Sequence, residues 1–232
     1  MSRMFVEMAR DPRLIPGVHH YCDEWCEMCP VTSRCLAFRC TAQYRKEQGR
    51  HDGEPTFRST ADAVAFARSL AVAGGYVTPE LDALVAGGTL KGGFKTADPL
   101  ADTAWQYAVG VSMWLVLTPD DLRRMRTGPT PSAEEVLLWY HLRIYIKLVR
   151  ALVGKETLSE SDEARCEVNG SAKVALVAVQ RSRKALVQLK KNAASETAGP
   201  LATLLEALEK GIHERFPNAR SFVRLGLDMP AV

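Results

Sequence analysis

Cysteine is the residue type through which this chain is best equipped to do chemistry. Five of its six cysteines, Cys22, Cys26, Cys29, Cys35 and Cys40, fall within nineteen positions at the spacing C-x3-C-x2-C-x5-C-x4-C. Thiolates gathered at one point are the ligands of Zn²⁺, Cu(I) and iron–sulfur clusters. Residues 22, 26 and 29 are one and two turns apart, so a helix through them puts three thiols on one face. Pro30 stops such a helix, and a short loop returns Cys35 toward the same locus. The expected metal set is Cys22, Cys26, Cys29 and Cys35, with Cys40 as the alternative fourth ligand. Zinc sites usually draw on two C-x2-C pairs, and here there is one. Three thiols on a helical face suit the separate iron corners of a cubane. A [4Fe–4S] cluster is therefore the first expectation and Zn²⁺ the alternative; a helical row of thiols also suits Cu(I). Packing as small apolar residues is the plain reading of any free cysteine. Five in one segment argue against it.

The element Cys26-x2-Cys29-Pro30-x4-Cys35 resembles the C-x2-C-x5-C element of RecB-like iron–sulfur nucleases, the CRISPR-associated ones included. In that family a fourth, distant cysteine completes a [4Fe–4S] cluster, so the resemblance implies a cluster. It does not extend to the nuclease, which needs a β-sheet and a D…(D/E)-x-K arrangement that this sequence does not show. The segments Tyr21-Cys22-Asp23-x-Trp25-Cys26 and Asn169-Gly170-Ser171-Ala172-Lys173 are also similar to an uncharacterised family of bacterial helical proteins, which implies no activity.

Around the thiols, Tyr21 and Trp25 are expected to shield the site from solvent. Asp23, Glu24 and Glu27 fall on the opposite face of the expected ligand helix and read as solvated surface. Arg34 and Arg39 either hydrogen-bond sulfurs, tuning a redox potential, or form loose salt bridges. Cys166 reads as a packed thiol near a helix start, the alternative being a ligand that folds back.

The elements that position these residues read as helices throughout. Leu36 to Gln48 is a short helix carrying Cys40, and the polar break His51-Asp52-Gly53-Glu54-Pro55 closes the segment. The predicted organisation is a metal-binding segment over 1–55 and a helical bundle over 56–232. Helices are expected at 61–73, from Pro79 to Ala86, and over 99–117 behind Asp98-Pro99. Another short one opens at Thr118-Pro119. Gly87 to Gly93 lacks the order of a phosphate-binding loop and reads as a connector. Ser132 and Glu135 form a capping box for a helix reaching Val153 and stopping at Gly154. A helix over 164–192 carries Ser171, Ala175, Ala178, Ser182 and Ala185, a stripe of small side chains that lets a neighbour approach. The last runs from near Pro200 to Phe216, where Pro217 ends it. The fold class is all-α: four long helices in a bundle plus short ones.

Bulk properties narrow the function classes. Net charge is +3, with 47% hydrophobic and 25% charged residues, so no global charge argument favours nucleic acid or an anionic membrane. Thr103 to Thr118 carries no charge; it is too short to span a bilayer and reads as a buried core helix. Residues 1–13 do not read as a signal peptide, so reduced thiols and the cytoplasm are expected. Arg143, Lys147 and Arg150, with Arg181 and Lys184, form a basic stripe that reads as a solvated helix face, an anion site being the alternative. Glu135, His141, Glu206, Glu209, His213 and Glu214 lack the Glu-x-x-His order of a dinuclear centre. No nucleophile motif stands out, so an enzymatic role is left open. The functional expectation is an electron-transfer, redox-sensing or structural metal centre with a redox or protein partner. A zinc-stapled interaction module is the alternative.

Overall fold

In the computed structural model the described residues are 3–49, 98–116, 130–157, 161–192 and 198–228. The fold is all-α. An isolated parallel bridge joins Ile15 and Cys35. The helices are α1 (Arg3–Ala9), α2 (Val18–Tyr21), α3 (Leu36–Glu47), α4 (Pro99–Val116), α5 (Ala133–Thr157), α6 (Asp162–Asn192) and α7 (Ala198–Arg215). Short 3-10 turns cover Cys26–Met28 and Pro217–Ala219. The helices expected at 61–73, 79–86 and after Thr118, the glycine connector and the boundary at 55/56 lie outside the described residues.

The chain divides into two compact units. One holds Met1–His19, Cys26–Lys95 and Leu225–Val232; the other holds His20–Trp25 and Thr96–Arg224.

In the second unit α4, α5, α6 and α7 form the bundle, α5 packing on α4 and α6, and α7 on α6 and α4. The starts of α4, α5 and α6 are set by caps. Asp98 Oδ1 accepts from Leu100 N at 2.9 Å. Glu135 N donates to Ser132 Oγ at 3.1 Å and Ser132 N to Glu135 Oε2 at 2.8 Å, the reciprocal capping box. Ala164 N donates to Ser161 Oγ at 3.1 Å. Pro217 ends α7 because it has no N–H to offer. Helix α5 does not stop at Gly154. It continues to Thr157, whose Oγ1 donates to Val153 O at 2.8 Å, and Gly154 is buried inside the helix.

The core is built from Tyr107, Val111, Leu137, Tyr140, Ile144, Leu148, Leu205, Leu208 and Ile212, with the small stripe of α6 buried among them. Burial of each large side chain stabilises by about 1.5–3 kcal/mol. Small residues set the helix spacing: a Cβ on Gly110 would stand 2.9 Å from Leu201 Cδ2, and one on Gly211 would overlap Leu100.

Helix α4 departs from the expected all-round burial. Ala101, Ala104, Tyr107, Ala108 and Val111 are buried, but Trp105, Val109 and Met113 are exposed. No described helix is long and apolar enough to cross a membrane.

In the first unit α1 packs on α3. Ile15 pins the entry to α3, its N donating to Arg34 O at 2.7 Å and its O accepting from Leu36 N at 3.3 Å. Gly226, at φ +80°, approaches Ile15 and Val31 so closely that a Cβ would meet Ile15 Cδ1 at 2.7 Å.

Candidate metal centre and the segment before it

The expected ligand helix through Cys22, Cys26 and Cys29 does not form. After α2 the backbone from Cys22 to Trp25 is irregular, and only Cys26–Met28 makes a 3-10 turn. Two local causes are visible. Asp23 Oδ1 accepts from Trp25 N at 3.3 Å, a turn that competes with the helix. Glu24 adopts φ 59°, a left-handed conformation that reverses the chain. Cys22, Cys26 and Cys29 therefore share no helical face. Cys22 belongs to the bundle unit, whereas Cys26, Cys29, Cys35 and Cys40 belong to the other.

Within that first unit the thiols are placed by short-range geometry. Cys29 N donates to Cys26 O at 3.2 Å, closing a tight C-x2-C turn. Pro30 to Arg34 continue as turns, and Cys35 is the N-cap of α3, its Sγ accepting from Phe38 N at 3.4 Å. Cys40 follows inside α3 at 2% exposure. Between Cys26 and Gln48 the only buried side chains are Val31, Cys35 and Cys40. Burial pushes the Cys35 thiol up; amide bonds from Phe38 and Ala37 oppose that shift, and negative charge on Cys29 adds to it. Burial likewise raises Cys40, with Cys35 as the second cause. Cys29, Cys35 and Cys40 are thus electrostatic neighbours. None of the six cysteines is in a disulfide. Among the described residues no three His, Cys, Asp or Glu side chains are drawn together tightly enough to hold a metal ion as they stand. The donor chemistry fits a thiolate centre; closing it requires the thiols to move onto the ion. Arg34 Nε donates to Arg13 O at 3.3 Å.

The bundle unit contains the surprise. Residues 20–25 form a strap of acids and aromatics laid on α5 and α6, in which the Glu24 side chain stays 51% exposed, and Glu27 beyond it is exposed as expected. Tyr140 OH donates to Asp23 Oδ2 at 2.6 Å, and Arg181 Nη1 donates to the same oxygen at 2.9 Å and also to the Tyr140 hydroxyl. Trp139 Nε1 donates to Asp23 O at 3.2 Å. Arg143 Nη1 bonds Glu24 Oε2 at 2.6 Å. Lys147 Nζ, 2% exposed, stands 3.1 Å from Glu24 Oε1, an ion pair without hydrogen-bonding alignment. Burial raises the Glu24 carboxyl, but Lys147 and Arg143 outweigh it and leave it below its ordinary value. Glu167 of α6 is bonded by both His20 and Arg150. Burial raises it, and those two partners more than reverse that, holding it down to about 2.

The aromatics follow the acids. Trp25 stacks on Trp139 at 5.0 Å between centroids and meets Tyr140 edge-on at 5.7 Å. Tyr21 is buried and lies 6.1 Å from Phe222. So Tyr21 and Trp25 pack in the bundle, and the basic stripe of Arg143, Lys147, Arg150 and Arg181 is the complement of Asp23, Glu24 and Glu167, not a free face. The sequence signal was present: three cations at i, i+4 and i+7, and an Asp-Glu pair elsewhere. What was missing was any rule bringing them together. Cys166 sits in α6, part-buried, in the bundle unit.

Four of the remaining titratable candidates have structural partners. Glu135 caps α5, Glu209 pairs with Arg183, and Glu206 Oε1 is 3.6 Å from Arg183. His141 is buried, its Nδ1 bonded to Leu138 O at 2.7 Å; burial lowers its pKa. Compared with protein-family models, curated proteins and solved structures, the chain matches none.

Proposed function

We propose that the N-terminal unit binds a thiolate-held metal centre, either a [4Fe–4S] cluster or Zn²⁺, through Cys26, Cys29, Cys35 and Cys40, in a reducing, cytoplasmic setting. The observation that carries this reading is that the segment's buried interior consists of Val31 and two thiols. One apolar side chain offsets about 1.5–3 kcal/mol, against backbone ordering of roughly 1–2 kcal/mol per residue, so residues 26–48 need another source of order. Metal binding supplies it, because in such segments binding energy is folding energy. The amide donated to Cys35 Sγ is the kind of bond that stabilises a ligating thiolate. Cys40 takes the place first given to Cys22, since it shares a unit and an electrostatic neighbourhood with Cys35. The function that follows is a cluster with a structural or redox role. Zinc gains as the second reading from the tight Cys26–Cys29 turn, which is a zinc-knuckle geometry rather than a helical row.

Anaerobic purification tests this. A brown protein that bleaches on reduction and contains iron and sulfide identifies the cluster; colourless protein with about one zinc per chain identifies the staple. Cys35→Ser and Cys40→Ser should each lose the metal while Cys166→Ser keeps it, and chelation should open residues 26–48 to protease with α4–α7 still helical. Wild-type protein purified without iron or zinc would overturn the reading.

A further inference from the structure

Helix α5 has an unusual outer surface. Between Ala133 and Arg150 its exposed residues are Leu138, Leu142 and Ile146, at 38%, 42% and 55% exposure, and no polar residue joins them. On the adjoining α4 the exposed residues from Thr103 to Met113 are Trp105, Gln106, Val109 and Met113, with Trp105 at 50% and Met113 at 67%. Both apolar sets repeat at i, i+4 and i+8, so each forms one stripe along its helix. The stripes are joined sideways: α4 packs on α5, and the Trp105 ring lies 5.2 Å from that of Tyr145. Together these six residues expose roughly 600 Å² of apolar surface, the top of the range for a monomer's largest patch and close to the ~800 Å² that each partner contributes to a standard interface.

We propose that this two-helix face is the contact between two copies of the chain, paired isologously so that four helices meet. Charge selects this occupant. The run from Thr103 to Thr118 has no charged residue, and the exposed positions of α5 along the stripe have none either. A face without charge meets its own copy with no like-charge repulsion, which is the usual obstacle to self-association, and it offers nothing by which to select a charged partner. Pairing also accounts for the composition of α4 from Thr103 to Val116: a helical stretch without charge belongs in an interior, and the second copy completes one. The proposal does not depend on the metal reading.

The test is the mass of the full chain by light scattering and sedimentation velocity across a wide dilution series. Wild type should show twice the chain mass at high concentration and dissociate on dilution. Met113→Glu and Ile146→Glu alter exposed positions, so far-UV circular dichroism should be unchanged while the dissociation constant rises at least about tenfold, because each buries a carboxylate in the contact. Val187→Glu, at an equally exposed 55% site on α6, should leave the mass unchanged. A wild type that is monomeric at every concentration would overturn the proposal, whatever else covers the face. So would a dimer indifferent to both glutamates.

Discussion

Tyr140→Phe is the sharpest probe of how the strap is held. Tyr140 is fully buried, and its hydroxyl donates to Asp23 Oδ2 at 2.6 Å while accepting from Arg181. Phenylalanine keeps the ring, its place in the core and its edge-on contact with Trp25 at 5.7 Å. The substitution therefore deletes one charge-assisted hydrogen bond and little else. Asp23 is not stranded, because Arg181 and the Trp25 amide still bind it. The expected loss is about 2 kcal/mol, the usual net value of a hydrogen bond to a charged group. Asp23→Asn keeps the shape but removes the charge, losing the Arg181 pair, a half-exposed contact worth under about 1 kcal/mol, and weakening the tyrosine bond. In a double-mutant cycle the two changes should couple by about 1–2 kcal/mol. Urea unfolding of the full chain, followed by far-UV circular dichroism with the metal content held constant, measures it. A Tyr140→Phe protein within about 0.5 kcal/mol of wild type, or strict additivity in the cycle, would refute the claim that Asp23 anchors residues 20–25 to the bundle.

Two further outcomes follow from the same strap. Glu167 has a folded pKa depressed from 4.5 to about 2. Between those values the unfolded chain binds more protons, so its stabilisation is complete above about pH 4.5 and is lost as pH falls toward 2. Allowing for partial solvent screening, Glu167→Gln should cost about 2 kcal/mol at neutral pH and flatten the stability profile over that window; an unchanged acid profile would sink the assignment. At Gly170 an added Cβ would stand 3.0 Å from both His20 O and Tyr21 Cβ. Backbone cannot move aside cheaply, so Gly170→Ala should lower the melting temperature despite alanine's helix-propensity gain of about 1 kcal/mol, with a net loss of about 1–2 kcal/mol. A higher melting temperature would mean that the strap does not lie against α6.

What the sequence determined by itself was much of what short-range rules govern, though not the end of α5, which runs past Gly154. The Ser132/Glu135 box, the Asp98-Pro99 start and the Pro217 stop fix helix ends because capping is settled within four residues. The small stripe from Ser171 to Ala185 marks a buried face because helical periodicity alone places those residues together. The cysteine spacing marked the segment whose chemistry matters. Tertiary structure decided the rest. The spacing of Cys22, Cys26 and Cys29 is helical, but a turn at Asp23 and the left-handed Glu24 break the helix, and both are stabilised by what Asp23 and Glu24 bind more than a hundred residues away. The basic stripe read as solvated because a charge pattern records how many cations share a face, not which acids will reach it. The uncharged run from Thr103 read as buried because composition cannot say which side of a helix the bundle will cover. Periodicity and capping act through neighbouring residues, whereas the partner of a charge or an apolar stripe is set by the path of the whole chain.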